Sequence, residues 1–142
     1  MQRAKVLESY AEVSIKVRYA ETDQMSVAYH GHYFTWFNVA RDELLKKMGI
    51  DISQGENLGY LMPVIEASCK YKFPARYDDE LIIQAVAEST TVARLIVHYE
   101  IYRKRDKRLI ATGKTINVVM KKNGRILLRI PREFEDILRS KD

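Results

Sequence analysis

The stretch Y-F-T-W-F-N-V-A-R-D-E-L-L-K-K-M-G, residues 33–49, decides the fold. Phe34, Phe37, Ala40, Leu44 and Met48 recur at the helical period, with Tyr33, Trp36 and Leu45 beside them, so the apolar stripe is broader than a surface helix needs. Asp42 with Lys46 and Glu43 with Lys47 stand four residues apart on the other side, and Gly49 is a natural C-terminal stop. The pattern predicts one helix of about 16–18 residues, buried over most of its surface.

The segments on either side change to period two, the mark of half-buried strands. Val13, Ile15, Val17 and Tyr19 alternate with Ser14, Lys16 and Arg18 before the helix. After a loop through Gly55, Gly59 and Pro63, Ile65, Ala67, Cys69, Tyr71 and Phe73 alternate with Glu66, Ser68, Lys70 and Lys72, and Pro74 closes the run. Further strands are predicted over 80–89, over 94–102 and from about Leu109 to Lys121, where Lys122-Asn123-Gly124 is a turn. Pro131 opens a short helix through Phe134, Ile137 and Leu138. The order β-α-β-β-β-β, then a short helix, predicts an α+β fold in which a largely antiparallel five-stranded sheet wraps one long helix. A sheet with free edges and a partly polar second face is expected to be covered in an oligomer.

The chain has 142 residues, no internal repeat and no Pro/Gly/Ser-rich linker, so a single domain over 1–142 is expected. One cysteine, Cys69, excludes an internal disulfide framework and sits on the apolar face of a strand pattern, as a buried inert thiol does. No apolar run is long enough to cross a bilayer and the N-terminus has no secretory core, which makes the cytoplasm the expected location. The 24 Lys and Arg against 19 Asp and Glu give +5. Residues 63–142 carry the whole excess, so an anionic ligand is expected to meet that part. Five basic residues cluster in Arg103-Lys104-Arg105-Asp106-Lys107-Arg108, which reads as a solvated hairpin tip. Tyr residues are not interleaved with Arg and Lys along one face, which argues against a nucleic-acid surface.

There is no G-x-S-x-G elbow, Walker loop, G-x-G-x-x-G or C-x-x-C pair. His98 falls mid-strand on a polar face and reads as a surface residue. The unusual segment is Tyr19 to Tyr33, where Asp23 lies in a loop seven residues before His30, and His30 and Gly31 open the helix. A helix N-terminus offers unpaired N–H groups that suit the oxygen of a tetrahedral intermediate. A carboxylate facing it can attack a carbonyl or activate water. The alternative is that Asp23 caps a turn and His30 caps the helix. His30 and His32 without a third ligand at useful spacing do not make a metal site.

The run V-R-Y-A-E-T-D-Q-M-S-V-A-Y-H-G-H-Y-F-T-W-F-N-V-A-R-D-E-L-L, residues 17–45, resembles the signature of the 4-hydroxybenzoyl-CoA thioesterase group of hotdog-fold proteins, especially its Tol-Pal-associated acyl-CoA thioesterases. Phe73-Pro74-Ala75-Arg76-Tyr77-Asp78-Asp79-Glu80-Leu81 and Ile130-Pro131 resemble later segments of that family, so the likeness runs from about residue 12 to 138. The resemblance implies a hotdog fold and hydrolysis of an acyl-CoA thioester to free acid and CoA. It implies Asp23 as nucleophile or general base and the His30 N–H, joined by that of Gly31, as the oxyanion site. The His30 side chain would orient substrate or water, with Tyr29 beside the substrate. It implies no metal or organic cofactor, coenzyme A being part of the substrate, and a homodimer or homotetramer. The CoA phosphates would meet the basic second part, with Arg94, at a strand start, as a candidate contact. The family pattern has Gly three residues after the Asp, where this chain has Ser26. An acyl carrier protein substrate, or a non-catalytic module that binds acyl thioesters, are the alternatives.

Overall fold

The computed structural model describes residues 10–88 and 93–127. Five strands form one antiparallel sheet in the order β1-β4-β5-β6-β3: β1 (Tyr10–Lys16), β3 (Val64–Tyr71), β4 (Glu80–Glu88), β5 (Arg94–Arg103) and β6 (Arg108–Val118). The buried helix is α1 (His32–Met48), ended by Gly49 in the left-handed conformation at φ 79°. It carries Tyr33, Trp36, Phe37, Ala40, Leu44 and Leu45 into the core against Leu81, Ile83, Val97, Tyr99 and Ile101 from the sheet. The helix and the succession of long strands along the chain agree with the periodicity, and the architecture is the hotdog arrangement of one helix wrapped by one antiparallel sheet.

The departures are local and have local causes. The first strand runs 10–16 rather than 13–19, because Tyr10 pairs with Val86 while the chain beyond Lys16 turns into a 3-10 turn at Tyr19–Glu21. The Arg18 N–H donates to the Glu21 carboxylate at 2.8 Å and holds that turn. The expected loop after α1 contains a six-residue helix α2 (Ile52–Asn57), capped by Asp51, whose side chain accepts from the Gln54 N–H. Two residues, β2 (Tyr60–Leu61), pair with β7 (Met120–Lys121), which splits the expected strand 109–121 in two. The helix expected from Pro131 lies outside the described residues.

β3 differs from the other strands in burial. Its alternation predicts one buried face, yet Ala67 and Tyr71 on that face are exposed, and Ile65, also exposed, falls in a register shift between Val64 and Glu66. α1 lies over β1 and β4, Phe37 reaches Tyr99 of β5, and Tyr33 reaches Tyr71 at the end of β3. The inner face of this edge strand is therefore in contact with the core at Cys69 and with the helix at Tyr71, and is left open at Ala67. Gly113 in β6, opposite Cys69, lets Phe37 lie flat against the sheet, where its ring stacks on Tyr99 with centroids 4.3 Å apart.

Candidate active site

The loop that carries Asp23 is closed on itself. Thr22 pairs with Ala28, the Asp23 N–H donates to Val27 O at 2.9 Å, and the Tyr29 N–H donates to Glu21 O at 2.8 Å. The loop also rests on the segment between β3 and β4. Val27 bridges Arg76, and the Ala28 N–H donates to Ala75 O. That segment is gripped in turn by the β5–β6 hairpin tip, where the Arg103 and Arg108 guanidiniums lie 5.1 and 4.0 Å from the Phe73 ring centroid. The tip is solvated as expected at residues 104–108, but Arg103 is buried, bidentate to Asp106 and 3.9 Å from Asp79.

Asp23 is half-buried at the start of the loop, and its Oδ1 accepts from the Met25 N–H at 2.8 Å. The carboxylate does cap a turn, but among the described residues its Oδ2 makes no hydrogen bond. The loop turns back through Ser26 at φ 65°, a conformation that glycine takes without strain and that serine takes at a cost.

On the other side of the bridge the chain enters α1. Gly31 is the N-cap, with no side chain capping the helix, so His30 does not cap it. The His32 N–H donates to Tyr29 O and the Tyr33 N–H to His30 O, whereas among the described hydrogen bonds the N–H groups of His30 and Gly31 have no acceptor. Two free donors at the positive end of a 17-residue helix are suited to a developing oxyanion. Tyr71, at the end of β3, donates its hydroxyl to His30 O at 2.9 Å and so ties the sheet to the helix start. The Tyr29 ring lies 4.3 Å from that of His30, and a Cβ on Gly31 would fall 2.9 Å from it, which keeps the backbone here close to an aromatic wall.

Glu21, which sequence reasoning did not single out, organises both halves. It is buried, accepts from the Arg18 N–H with Oε1 and from the Trp36 indole N–H with Oε2 at 3.0 Å. Burial pushes its carboxyl up, but the hydrogen bonds from Arg18 and Trp36 outweigh this and hold it below the usual range. The only local signal was its place two residues before Asp23.

The remaining candidates lie apart. Arg94 is exposed at the far end of β5, ten residues and roughly 30 Å of strand from the hairpin tip that supports the loop. Within one chain it does not meet the loop. Cys69 is half-buried, and burial raises its thiol above the ordinary value against the lowering effect of a hydrogen bond with Tyr71, so it is no thiolate nucleophile at neutral pH. His98 is exposed and pairs with Glu88 at 2.9 Å. Among the described residues no three His, Cys, Asp and Glu side chains stand together as metal ligands, and no helix is long and apolar enough to span a membrane.

Known proteins share this architecture. The sequence matches the family described as the thioesterase-like superfamily over residues 17–138. It is 38% identical over 88 residues to a putative acyl-CoA thioesterase of Bacillus subtilis, an alignment that covers 62% of this chain and 64% of that protein. A putative esterase of Aquifex aeolicus is 29% identical over 124 residues, with 87% and 94% covered. The crystal structure of a DHNA-CoA thioesterase from Staphylococcus aureus superposes with a TM-score of 0.82 at 34% identity, covering 89% of this chain and 85% of that one.

Proposed function

The chain belongs to the thioesterase-like superfamily, and from that premise we propose that it is an acyl-CoA thioesterase that uses Asp23 and the N-terminus of α1. The observation that carries this reading is that, among the described residues, a carboxylate oxygen on the loop closed at Glu21 and Tyr29 has no hydrogen-bond partner and the two backbone donors just beyond that closure have no acceptor. With Asp23 as general base, water adds to the thioester carbon while Asp23 takes its proton. The carbonyl oxygen becomes an oxyanion held by the His30 and Gly31 N–H groups. The oxyanion then re-forms the carbonyl, the C–S bond breaks, and the proton passes from Asp23 to the departing CoA thiolate. With Asp23 as nucleophile, its carboxylate displaces the CoA thiolate as the C–S bond breaks and forms an anhydride, which water then hydrolyses to the free acid and the Asp23 carboxylate, a proton from that water passing to the thiolate. Both routes use the same donors. The His30 ring and Tyr29 border the path to the carbonyl.

The exposed side chains of β3 and its place at the edge of the sheet support a homodimer in which two β3 strands pair antiparallel and the sheets become continuous. Such a two-fold arrangement brings the far end of the second copy, with its Arg94, towards this loop, which is how Arg94 would meet the CoA phosphates. Two dimers pairing would give a tetramer. The subgroup reading, Tol-Pal-associated thioesterases, rests on the run 17–45 alone.

Release of free thiol from a panel of alkanoyl- and aroyl-CoA thioesters tests the class. Turnover of at least one supports it. Turnover only of the same acyl groups on acyl carrier protein would favour the carrier reading, and binding without turnover the non-catalytic one.

A further inference from the structure

The two proposed oxyanion donors belong to successive peptide planes. The His30 N–H shares a plane with the Tyr29 carbonyl and the Gly31 N–H shares one with the His30 carbonyl, the two groups pointing opposite ways in each. A group that holds the carbonyl therefore aims the N–H. Tyr29 O is held from within the helix start, by the His32 N–H at 3.0 Å. His30 O accepts a longer bond from the Tyr33 N–H, at 3.3 Å, and a shorter one, at 2.9 Å, from the Tyr71 hydroxyl on β3, 41 residues along the chain.

The second plane is the one that needs support from outside. Gly31 has no side chain to limit its φ, and none fits, because a Cβ would fall 2.9 Å from the Tyr29 ring. No side chain caps the helix here either. Tyr71 is mounted to supply the restraint. Its backbone lies in the β3–β6 ladder opposite Ala111, and the Lys72 N–H that follows it donates to Ile110 O at 2.9 Å. Its ring stands nearly perpendicular to those of Tyr33 and His30, with centroids 4.9 and 6.2 Å away. Burial, and next the Cys69 thiol beside it, push the Tyr71 hydroxyl up to about 12, so it is protonated and able to donate throughout the neutral range.

We propose that Tyr71 is a positioning residue for the oxyanion site: by donating to His30 O it fixes the His30–Gly31 peptide plane and strengthens the Gly31 N–H as a donor to the thioester oxygen. It acts through the peptide and takes no part in proton transfer. The effect grows as charge develops on that oxygen, so it belongs to kcat rather than to KM. The proposal rests on the thioesterase reading and deepens it.

Tyr71→Phe keeps the ring and removes the donor. It is compared with the wild type and Asp23→Asn on decanoyl-CoA or benzoyl-CoA, whichever the wild type hydrolyses faster, with folding checked by circular dichroism and assembly by sedimentation velocity. The expected result is a kcat lower by about 10-fold at a KM within about 2-fold, less than the loss of about 10²- to 10³-fold when an oxyanion donor is removed outright. In the same variant the NMR resonances of the His30 carbonyl carbon and the Gly31 amide nitrogen are expected to move upfield together, the mark of a carbonyl that has lost its donor. A folded Tyr71→Phe with wild-type kcat, beside an inactive Asp23→Asn, overturns this proposal and leaves the thioesterase standing. So does a fall in kcat with both resonances unmoved. If Tyr71→Phe does not fold or leaves the wild-type assembly, Tyr71→3-fluorotyrosine decides, since it keeps the ring and hydroxyl and donates more strongly. A kcat raised by about 2-fold at unchanged KM supports the proposal, and an unchanged kcat overturns it. Absence of wild-type turnover with every acyl-CoA of the panel overturns the thioesterase reading and this one with it.

Discussion

The Trp36 indole N–H donates to the Glu21 carboxylate at 3.0 Å across fifteen residues of chain. This bond fastens the 3-10 turn before the Asp23 loop to the second turn of α1. Replacing Glu21 by Ala leaves the Trp36 and Arg18 donors without acceptors. The expected loss is about 1–3 kcal/mol in urea denaturation, with a fall in kcat larger than the change in KM.

The same carboxylate gives a pH dependence of defined sign. Its value in the folded chain is below the ordinary 4.5, so the stability it contributes is fully present above that pH and is lost as pH falls through the lower folded value. Thermal melts from pH 7 to pH 3 are expected to show a smaller acid-induced drop in Tm for Glu21→Gln than for the wild type, from a lower Tm at neutral pH. Parallel curves would contradict this.

Ser26 stands at φ 65° where the family pattern has Gly. Ser26→Gly removes a side-chain clash in the left-handed region but adds freedom to the unfolded chain. Relief of the clash outweighs the added freedom, and the variant is expected to gain up to about 1 kcal/mol in urea denaturation. A loss of stability would show that the Ser26 side chain makes a compensating contact.

Gly113 faces Phe37, and a Cβ there would fall 2.3 Å from the Phe37 ring and 3.1 Å from Ser68 O. Gly113→Ala forces the helix away from β6 and is expected to destabilise by about 1–3 kcal/mol. Urea denaturation reads this loss as well, and an unchanged midpoint would contradict it.

The exposed side chains of edge strand β3 yield a prediction on assembly. Ile65, 51% exposed in the single chain, is expected to be covered in the dimer. Ile65→Lys should shift sedimentation velocity from dimer towards monomer and lower turnover with it. A wild type that is monomeric at all concentrations would remove the shared site.

The central helix and the succession of strands along the chain were legible because each rests on a period that burial imposes: 3.6 over 33–48 and two over the strands. Alternation in β3 told which side chains share a face from Ala67 to Tyr71, but not that the register shifts at Ile65 or that α1 reaches only the Cys69–Tyr71 end. Whether a face is buried depends on where another element ends. Asp23 and His30 stood out as a carboxylate before an unusual helix start. Glu21 did not, since its partners Arg18 and Trp36 lie three and fifteen residues away and no spacing rule links them. Arg94 was nominated by charge and by its place at a strand start, and neither says which end of the sheet that start occupies. The solvated tip was read correctly from its composition except at Arg103, where Phe73 and Asp79 from a distant segment bury a residue that the local sequence marks as surface.

The most direct test of the proposed chemistry is thiol release from the best acyl-CoA substrate by the wild type and by Asp23→Asn, with folding of both verified by circular dichroism. Asn keeps the turn with Met25 but can neither attack nor accept the proton, so turnover is expected to fall at least about 100-fold with little change in KM. A folded Asp23→Asn variant that retains wild-type turnover would contradict the proposed site.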